Sequence, residues 1–301
     1  MQLQGLRIAI TGATGFLGRY LVDTLAKRGA HPIAVVRSPD KAARVLGPNV
    51  PVRAADLADR AALVRAFAEV DAVISNAAVI SFRSPRETLR TNVDGTRNVF
   101  EAIGEAGVRR AIAISSSAAY VPAWWPRALD EDAPLRPLRR AGFANAYGVS
   151  KAEAERIAWQ LAREAGVALT SFRPCGITGP HDPLLLAAIA RIARIPVAPF
   201  PAFTQIGVVH AADVADAVAR ALERPETTEG RAYNLQGNTV TLWQLADAWR
   251  NVGGTSTRLR LPVPCPISLR YDDSRARREL GWEPRSIHAI VEEAVHARRS
   301  S

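Results

Sequence analysis

Short apolar, β-branched runs alternate with segments of helical period through the first half of the chain. LRIAI, PIAVV, PVRA, AVIS, AIAIS and ALTSF have the length and continuity expected of sheet strands. Between them the pattern predicts helices beginning near Phe16 and near Asp59, and others over about Pro85–Glu105 and Ala144–Ala165. Strand, helix, strand repeated in this way predicts a doubly wound α/β architecture, a parallel sheet with helices on both faces.

Beyond Pro174 the rhythm breaks into shorter, proline-punctuated pieces such as GPHDPLLL, RIPVAPFPAF and LPVPCPIS. Helices are expected near Ala211–Glu223, Leu242–Val252 and Ser286–Ala297. These pieces predict a small mixed C-terminal region folded against the ends of the strands, where open α/β sheets take their ligands. The expected division is a cofactor-binding core over residues 1–173 and a mainly substrate-binding region over 174–301, interleaved with the core.

With 48% hydrophobic and 23% charged residues among 301, the chain has the composition of a packed globular protein. Its net charge of +10 comes from arginines scattered among alanine-rich helices, with no long basic run. Nucleic acid is therefore not the expected partner, although anionic ligands would be attracted. The opening MQLQGLRIAITGATG has too short an apolar run for a secretory leader, and no stretch approaches the roughly 20 apolar residues of a membrane span. A cytoplasmic protein is expected. Cys175 and Cys265 lack metal-ligand spacing and are expected to be buried free thiols, with no metal site.

ITGATGFLGRYL sets Gly12, Gly15 and Gly18 directly between the first strand and the first helix. Glycines there permit a tight turn, let backbone approach a pyrophosphate and allow close helix packing, while the helix N-terminus supplies oriented N–H groups. Gly12, Thr14, Gly15, Phe16, Leu17 and Gly18 are thus expected to cradle a dinucleotide; a turn that merely joins strand to helix is the plainer alternative. About 20 residues on, such folds meet the adenosine ribose. An acid there would bond the 2′-hydroxyl of NAD. AVVRSPDK instead offers Arg37, with Ser38 and Lys41 behind it, and a guanidinium suits a 2′-phosphate. NADP is expected ahead of NAD, the alternative being that Arg37 is a solvated surface side chain. Asp56 and Leu57 after the third strand suit the adenine amine and ring face, or else Asp56 or Asp59 caps a helix. Asn76, Ala77 and Ala78 after the fourth are small enough for backbone to lie along a cofactor.

Taken in order, TGATGFLG, TNVDGTRNVFEA, ISSSAAY, YGVSK, RPCGITGP and VVHAADVADAVARAL resemble the motifs of extended short-chain dehydrogenases/reductases, in the epimerase, dehydratase and dihydroflavonol-reductase-like branch. The resemblance spans nearly the whole chain. It implies a Rossmann core with Ser117, Tyr147 and Lys151 as catalytic residues, Tyr147 and Lys151 also meeting the cofactor, and the segment from Pro174 to Gly176 with Thr178 beside the nicotinamide, the alternative being that Pro174 and Gly176 shape a turn. On a helix, Tyr147 and Lys151 stand one above the other. A free phenol, with a pKa of about 10, is a poor base at neutral pH, and a nearby ammonium brings it closer to working range. Lysine does this as a compact charge that can also bond a ribose hydroxyl, which accounts for its presence where arginine fills nearly every other basic position. Without the surrounding motifs the pair would read as a solvated helix surface. Ser115 and Ser116 compete with Ser117, since a strand alternates its faces, and the resemblance selects Ser117. Asn92 matches a family asparagine and is either a proton relay or a helix-bending structural amide. His210 and Asp213 match a family motif and are expected to be structural, Asp213 in the first turn of a helix and His210 holding the preceding loop, ahead of a catalytic role for His210.

Two reactions fit. In a reductase or dehydrogenase, hydride passes between nicotinamide and a carbonyl or carbinol while Tyr147 gives or takes the proton. A nucleotide-sugar epimerase or dehydratase uses the cofactor transiently, and the resemblance gives such enzymes an acid at position 37 and an arginine near position 205. Here Arg37 and Gln205 stand instead, so net redox chemistry on a small, partly apolar substrate is expected. Trp124, Trp125 and Phe143, with Leu184–Leu186, Phe200 and Phe203, either line an apolar pocket or fill a core, and Arg139, Arg140 and Arg191 could meet a diphosphate. A non-enzymatic NADP sensor is disfavoured by the presence of both Tyr147 and Lys151. The expected partner is a small molecule, with no membrane and no nucleic acid, and homodimerisation is allowed.

Overall fold

The computed structural model describes residues 3–80, 84–124, 127–138, 145–180, 182, 197–201, 205–252, 259–263 and 267–299. The chain opens with β1 (Arg7–Thr11), α1 (Phe16–Lys27), β2 (His31–Val36), α2 (Pro39–Leu46), β3 (Val52–Ala54), α3 (Arg60–Ala66) and β4 (Ala72–Ser75). It continues through α4 (Pro85–Leu89), α5 (Gly95–Glu105), β5 (Arg110–Ile114), β6 (Ala123–Trp124), α6 (Ala146–Glu164) and β7 (Ala168–Pro174). Then come β8 (Gly176–Thr178), β9 (Val197–Pro201), β10 (Gln205–His210), α7 (Ala211–Glu223), α8 (Pro225–Thr228), β11 (Ala232–Leu235) and β12 (Asn238–Thr241). The last elements are α9 (Leu242–Asn251), β13 (Leu259–Val263), β14 (Ile267–Ser268), α10 (Ser274–Leu280) and α11 (Ile287–Arg299).

Seven strands form one sheet in the order β3-β2-β1-β4-β5-β7-β11. The pairs β2–β3, β1–β2, β1–β4, β4–β5 and β5–β7 are parallel. Ile8, Ala9 and Ile10 of β1 and Val73 and Ile74 of β4 are fully buried, so these central strands are apolar on both faces. Leu63 and Phe67 at α3, Val99, Phe100 and Ile103 of α5 and Ala158 of α6 belong to one buried cluster with Ala9, Val73 and Ala111 of the sheet. The winding reverses between β1 and β4, and the crevice beyond their carboxyl ends is where doubly wound sheets take ligands.

Three features depart from the sequence pattern. The stretch Pro39–Leu46 is helical, begun by Ser38, whose Oγ accepts the Lys41 N–H at 3.3 Å, with Pro39 in the first turn. The span Pro85–Glu105 is broken between α4 and α5 by a turn of π-helix over Arg90–Asp94. Finally, β11 joins the large sheet as an edge strand beside β7.

Two compact units emerge, residues 1–121, 133–173 and 215–233 in one, and 122–132, 174–214 and 234–301 in the other. The second unit holds a mixed three-stranded sheet in which β8 is parallel and β12 antiparallel to β10. It also holds the parallel pair β9–β13 and the antiparallel pair β6–β14. Val208, Val240, Leu245, Trp249, Val291 and Val295 form its buried cluster. The architecture is thus the doubly wound parallel sheet with a small mixed C-terminal region. Among the described residues, no helix is long and apolar enough to cross a membrane.

Candidate active site

The loop from β1 to α1 is built around absent side chains. Gly12 has φ +67°, and a Cβ there would lie 2.8 Å from the Ala77 Cα. A Cβ on Gly18 would lie 2.7 Å from the Ala13 backbone, so this glycine lets α1 pack closely against the turn. The Gly15 N–H closes the turn on the Gly12 carbonyl at 2.9 Å. Gly15 is the N-cap, it has no side-chain cap, and the first turn of α1, which includes Phe16 and Leu17, has no acid. The helix therefore presents its N–H groups and the positive end of its dipole without competition, and a dinucleotide pyrophosphate fits such a cradle. Thr14 lies within the turn.

Thr11, which the sequence reading passed over, ties the two central strand ends together. Its Oγ1 accepts the Asn76 N–H at 3.0 Å and the Ala77 N–H at 3.2 Å and donates to the Ile74 carbonyl at 3.4 Å. The Asn76 side chain donates to the Gly12 carbonyl at 3.3 Å, so it braces the glycine loop, while Ala78 is exposed. At the end of β2, Arg37 is 79% exposed and its Nε stands 3.9 Å from Asp56 Oδ2. Lys41 lies exposed in α2. Asp59 is the N-cap of α3, and Asp56 instead accepts the Ala58 N–H at 2.9 Å. Leu57 is partly buried against Gly95 of α5.

Tyr147 and Lys151 lie in the first half of α6. Gly148 lets that helix approach the exit of β5, because a Cβ there would collide with the Ala118 carbonyl. Tyr147 keeps part of its surface in solvent, yet desolvation pushes its phenol above the usual pKa, and a hydrogen bond with Ser116 acts in the opposite sense. The structure thus brings Ser116 to the phenol, while Ser117, buried, opens a short 3-10 turn over Ser117–Ala119. That turn ends the strand alternation that the three serines would otherwise follow. Lys151 is buried and its Nζ donates to the Ile114 carbonyl at 2.6 Å. Burial lowers its pKa to about 8, with the nearby Glu155 charge acting against the fall.

Glu155 and Arg173 were not foreseen, since charged residues in a helix and a strand read as surface. The Glu155 side chain is 0% exposed and that of Arg173 7%, with Nη2 2.8 Å from Oε1. Ser115 Oγ donates to Glu155 Oε2 at 2.6 Å, and Arg173 Nη1 donates to the Tyr120 hydroxyl at 2.6 Å. Burial alone would push the Glu155 carboxyl up, but Arg173, Ser115 and Trp159 together hold it below the usual carboxylate range.

Asn92 clasps Val79 and Ser150. Its Oδ1 accepts the Val79 N–H at 2.8 Å, and its Nδ2 donates to the Val79 carbonyl at 3.0 Å and to Ser150 Oγ at 2.9 Å. These bonds accompany the π-turn around it. In the second unit, Pro174 is buried, Gly176 is exposed in β8, and Thr178 donates to Asp182 at 2.9 Å. Cys175 is partly buried, and its Sγ donates to Gln236 Oε1 at 2.9 Å. Asp213 lies in the first turn of α7 and pairs with Arg285 at 3.0 Å, and its carbonyl accepts the Trp282 Nε1–H at 2.8 Å. His210 is fully buried, and its Nδ1 accepts the Ala212 N–H at 3.1 Å. Burial, then the Arg285 charge, lower its pKa to about 4, and Glu293, 3.4 Å away but 45% exposed, is too screened by water to reverse this. Trp125, Phe143, Leu184–Leu186, Phe203, Arg139, Arg140, Arg191 and Cys265 lie outside the described residues, as do the side chains of Trp124 and Phe200.

Residues 8–235 match the model of the NAD dependent epimerase/dehydratase family. Among curated proteins, a ceramide reductase of Caulobacter vibrioides is 30% identical over 85% of this chain and 74% of its own. A UDP-glucose 4-epimerase of Bacillus subtilis is 28% identical over 92% of each chain. Among solved structures, a UDP-glucose 4-epimerase of Thermotoga maritima with UDP-glucose superposes with a TM-score of 0.84 at 24% identity, covering 98% of this chain and 99% of that one.

Proposed function

The chain belongs to the NAD dependent epimerase/dehydratase family and is an NAD(P)-dependent enzyme of the extended short-chain dehydrogenase/reductase type; we propose that it is an NADP(H)-dependent reductase acting on a carbonyl of a small, partly apolar substrate. When bound, the dinucleotide supplies hydride from its nicotinamide. Gly12, Gly15, Gly18 and the N-terminus of α1 hold the pyrophosphate, and Arg37 with Lys41 holds the 2′-phosphate. Tyr147, its pKa raised by burial, is protonated at neutral pH and donates its proton to the carbonyl oxygen as that oxygen gains charge. Lys151 stabilises the phenolate left behind. Ser116 orients the phenol, and Ser117, which the family motif selects, bonds the reacting oxygen.

The observation that carries this reading is Arg37, exposed at the end of β2 where an NAD enzyme would place a carboxylate. The ceramide reductase among the relatives supports the same direction. The UDP-glucose 4-epimerase among them supports a second reading, nucleotide-sugar epimerisation, against which stands Gln205 in place of an arginine at the start of β10. A screen of ketones, steroid-like and polyketide-like carbonyl compounds and nucleotide sugars, followed by nicotinamide absorbance, tests the proposal. Oxidation of NADPH by a carbonyl compound supports it. Activity confined to nucleotide sugars, without absorbance change, refutes it.

A further inference from the structure

Tyr147, Lys151 and Glu155 fall at four-residue intervals along α6 and so share one face of the helix. That face meets the end of β5, where Lys151 bonds the Ile114 carbonyl and Glu155 takes the Ser115 hydroxyl. The stripe ends in a buried carboxylate, whose oxygens also take the Arg173 Nε at 3.0 and 3.1 Å. Arg173 in turn lies 4.9 Å from the centre of the Tyr120 ring and bonds its hydroxyl. A buried ion pair stabilises a fold less than packed apolar groups of similar volume often would. Its place directly along the stripe from the reacting pair points to a use.

Lys151 and Glu155 line a common cavity of about 20 Å³, the size of one water, together with Ser75, Thr96 and Ser115. The groups facing Lys151 are the Ile114 carbonyl and Ser115 from the β5 end, Ser75 from β4, Thr96 from α5, and Tyr147 and Glu155 from its own helix, with Arg173 of β7 behind Glu155. Of the residues lining the cavity, Lys151 and Glu155 are the charged ones.

We propose that Glu155, held by Arg173 and Ser115 beside the cavity it shares with Lys151, is a positioning residue for catalysis, whose carboxylate acts on the Lys151 ammonium along the helix face that also carries Tyr147. The proposal rests on Tyr147 and Lys151 being the reacting pair. Lys151 stands at about 8 with Glu155 in place. Without that charge the burial would act unopposed, and the ammonium would weaken its hold on the phenolate.

The chain has three lysines, Lys27, Lys41 and Lys151, so full-length protein labelled with carbon-13 at lysine Cε gives three signals, assigned by Lys27→Arg and Lys41→Arg. Glu155→Gln alone would leave Arg173 an unpaired buried cation, which opposes folding. Glu155→Gln/Arg173→Gln removes both charges and keeps polar side chains, and Ser115→Ala loosens the carboxylate in an otherwise intact pair. The Lys151 midpoint is expected to fall in the double variant, because Glu155 acts on the Lys151 charge directly while Arg173 stands behind it. It should fall by less in Ser115→Ala, with Lys27 and Lys41 unmoved. An unmoved Lys151 midpoint in the folded double variant overturns the proposal; should that variant not fold, an unmoved midpoint in Ser115→Ala does so. The titration needs no substrate, so inactivity toward every carbonyl compound would count against the proposed reaction and leave this result standing.

Discussion

Replacing Arg37 with aspartate should invert the cofactor preference. Hydrogen bonds to charged groups contribute about 1.5–3 kcal/mol each, but Arg37 is 79% exposed and its contact with a phosphate would be partly screened. One such contact, discounted for exposure, corresponds to roughly a tenfold to hundredfold change in affinity. Arg37→Asp adds a carboxylate beside Asp56, which already lies 3.9 Å from the guanidinium, so two negative charges would then face an incoming 2′-phosphate. The dissociation constant for NADPH should rise about tenfold to a hundredfold, while that for NADH stays level or improves. Titration of both cofactors into wild type and variant at low and high salt measures this, and the wild-type preference for NADPH should shrink as salt rises. Equal affinity of the wild type for both cofactors, or an Arg37→Asp variant that still binds NADPH as tightly, would refute the reasoning.

Tyr147→Phe should lower turnover by about 10²- to 10⁴-fold, the usual contribution of a general acid, with little change in cofactor affinity. Lys151→Arg keeps the charge but not the bond to the Ile114 carbonyl in its compact form, so full activity in that variant would contradict the role given to lysine. Ser116→Ala removes the hydrogen bond that lowers the Tyr147 pKa, so the alkaline limb of carbonyl reduction should move to higher pH, whereas Ser117→Ala should lower turnover without moving it. His210 titrates at about 4 in the fold, below its value in an unfolded chain, so the unfolded state binds more protons in the interval between. Stability should be full above about pH 6.5 and fall as pH drops toward 4; a melting curve that is no flatter with pH in His210→Asn would dissociate the effect from this side chain.

The sheet and the glycine loop were legible because their physics is local. Runs such as RIAIT are apolar on both faces, and Gly12 and Gly18 sit where any Cβ would strike backbone. The start of α2 was equally local, a serine N-cap followed by proline, yet it stood in a stretch weighed for its charges. The π-turn was not legible, since it accompanies the clasp of Asn92 on Val79, thirteen residues away in sequence. Nor was the partner of Tyr147: three adjacent serines can be ranked only once the turn that ends their strand is known. Glu155 carried a signal in its spacing from Tyr147 and Lys151, but its burial depends on Arg173, eighteen residues on in another element. Long-range pairing of charge leaves no mark in local pattern.

The central claim is net reduction by NADPH with Tyr147 as the acid, and the ratio of NADPH consumed to product formed tests it most directly. With an accepted carbonyl substrate the ratio should be one, and Tyr147→Phe should lower both quantities together. A nucleotide sugar converted to product while NADPH absorbance stays constant would contradict the account.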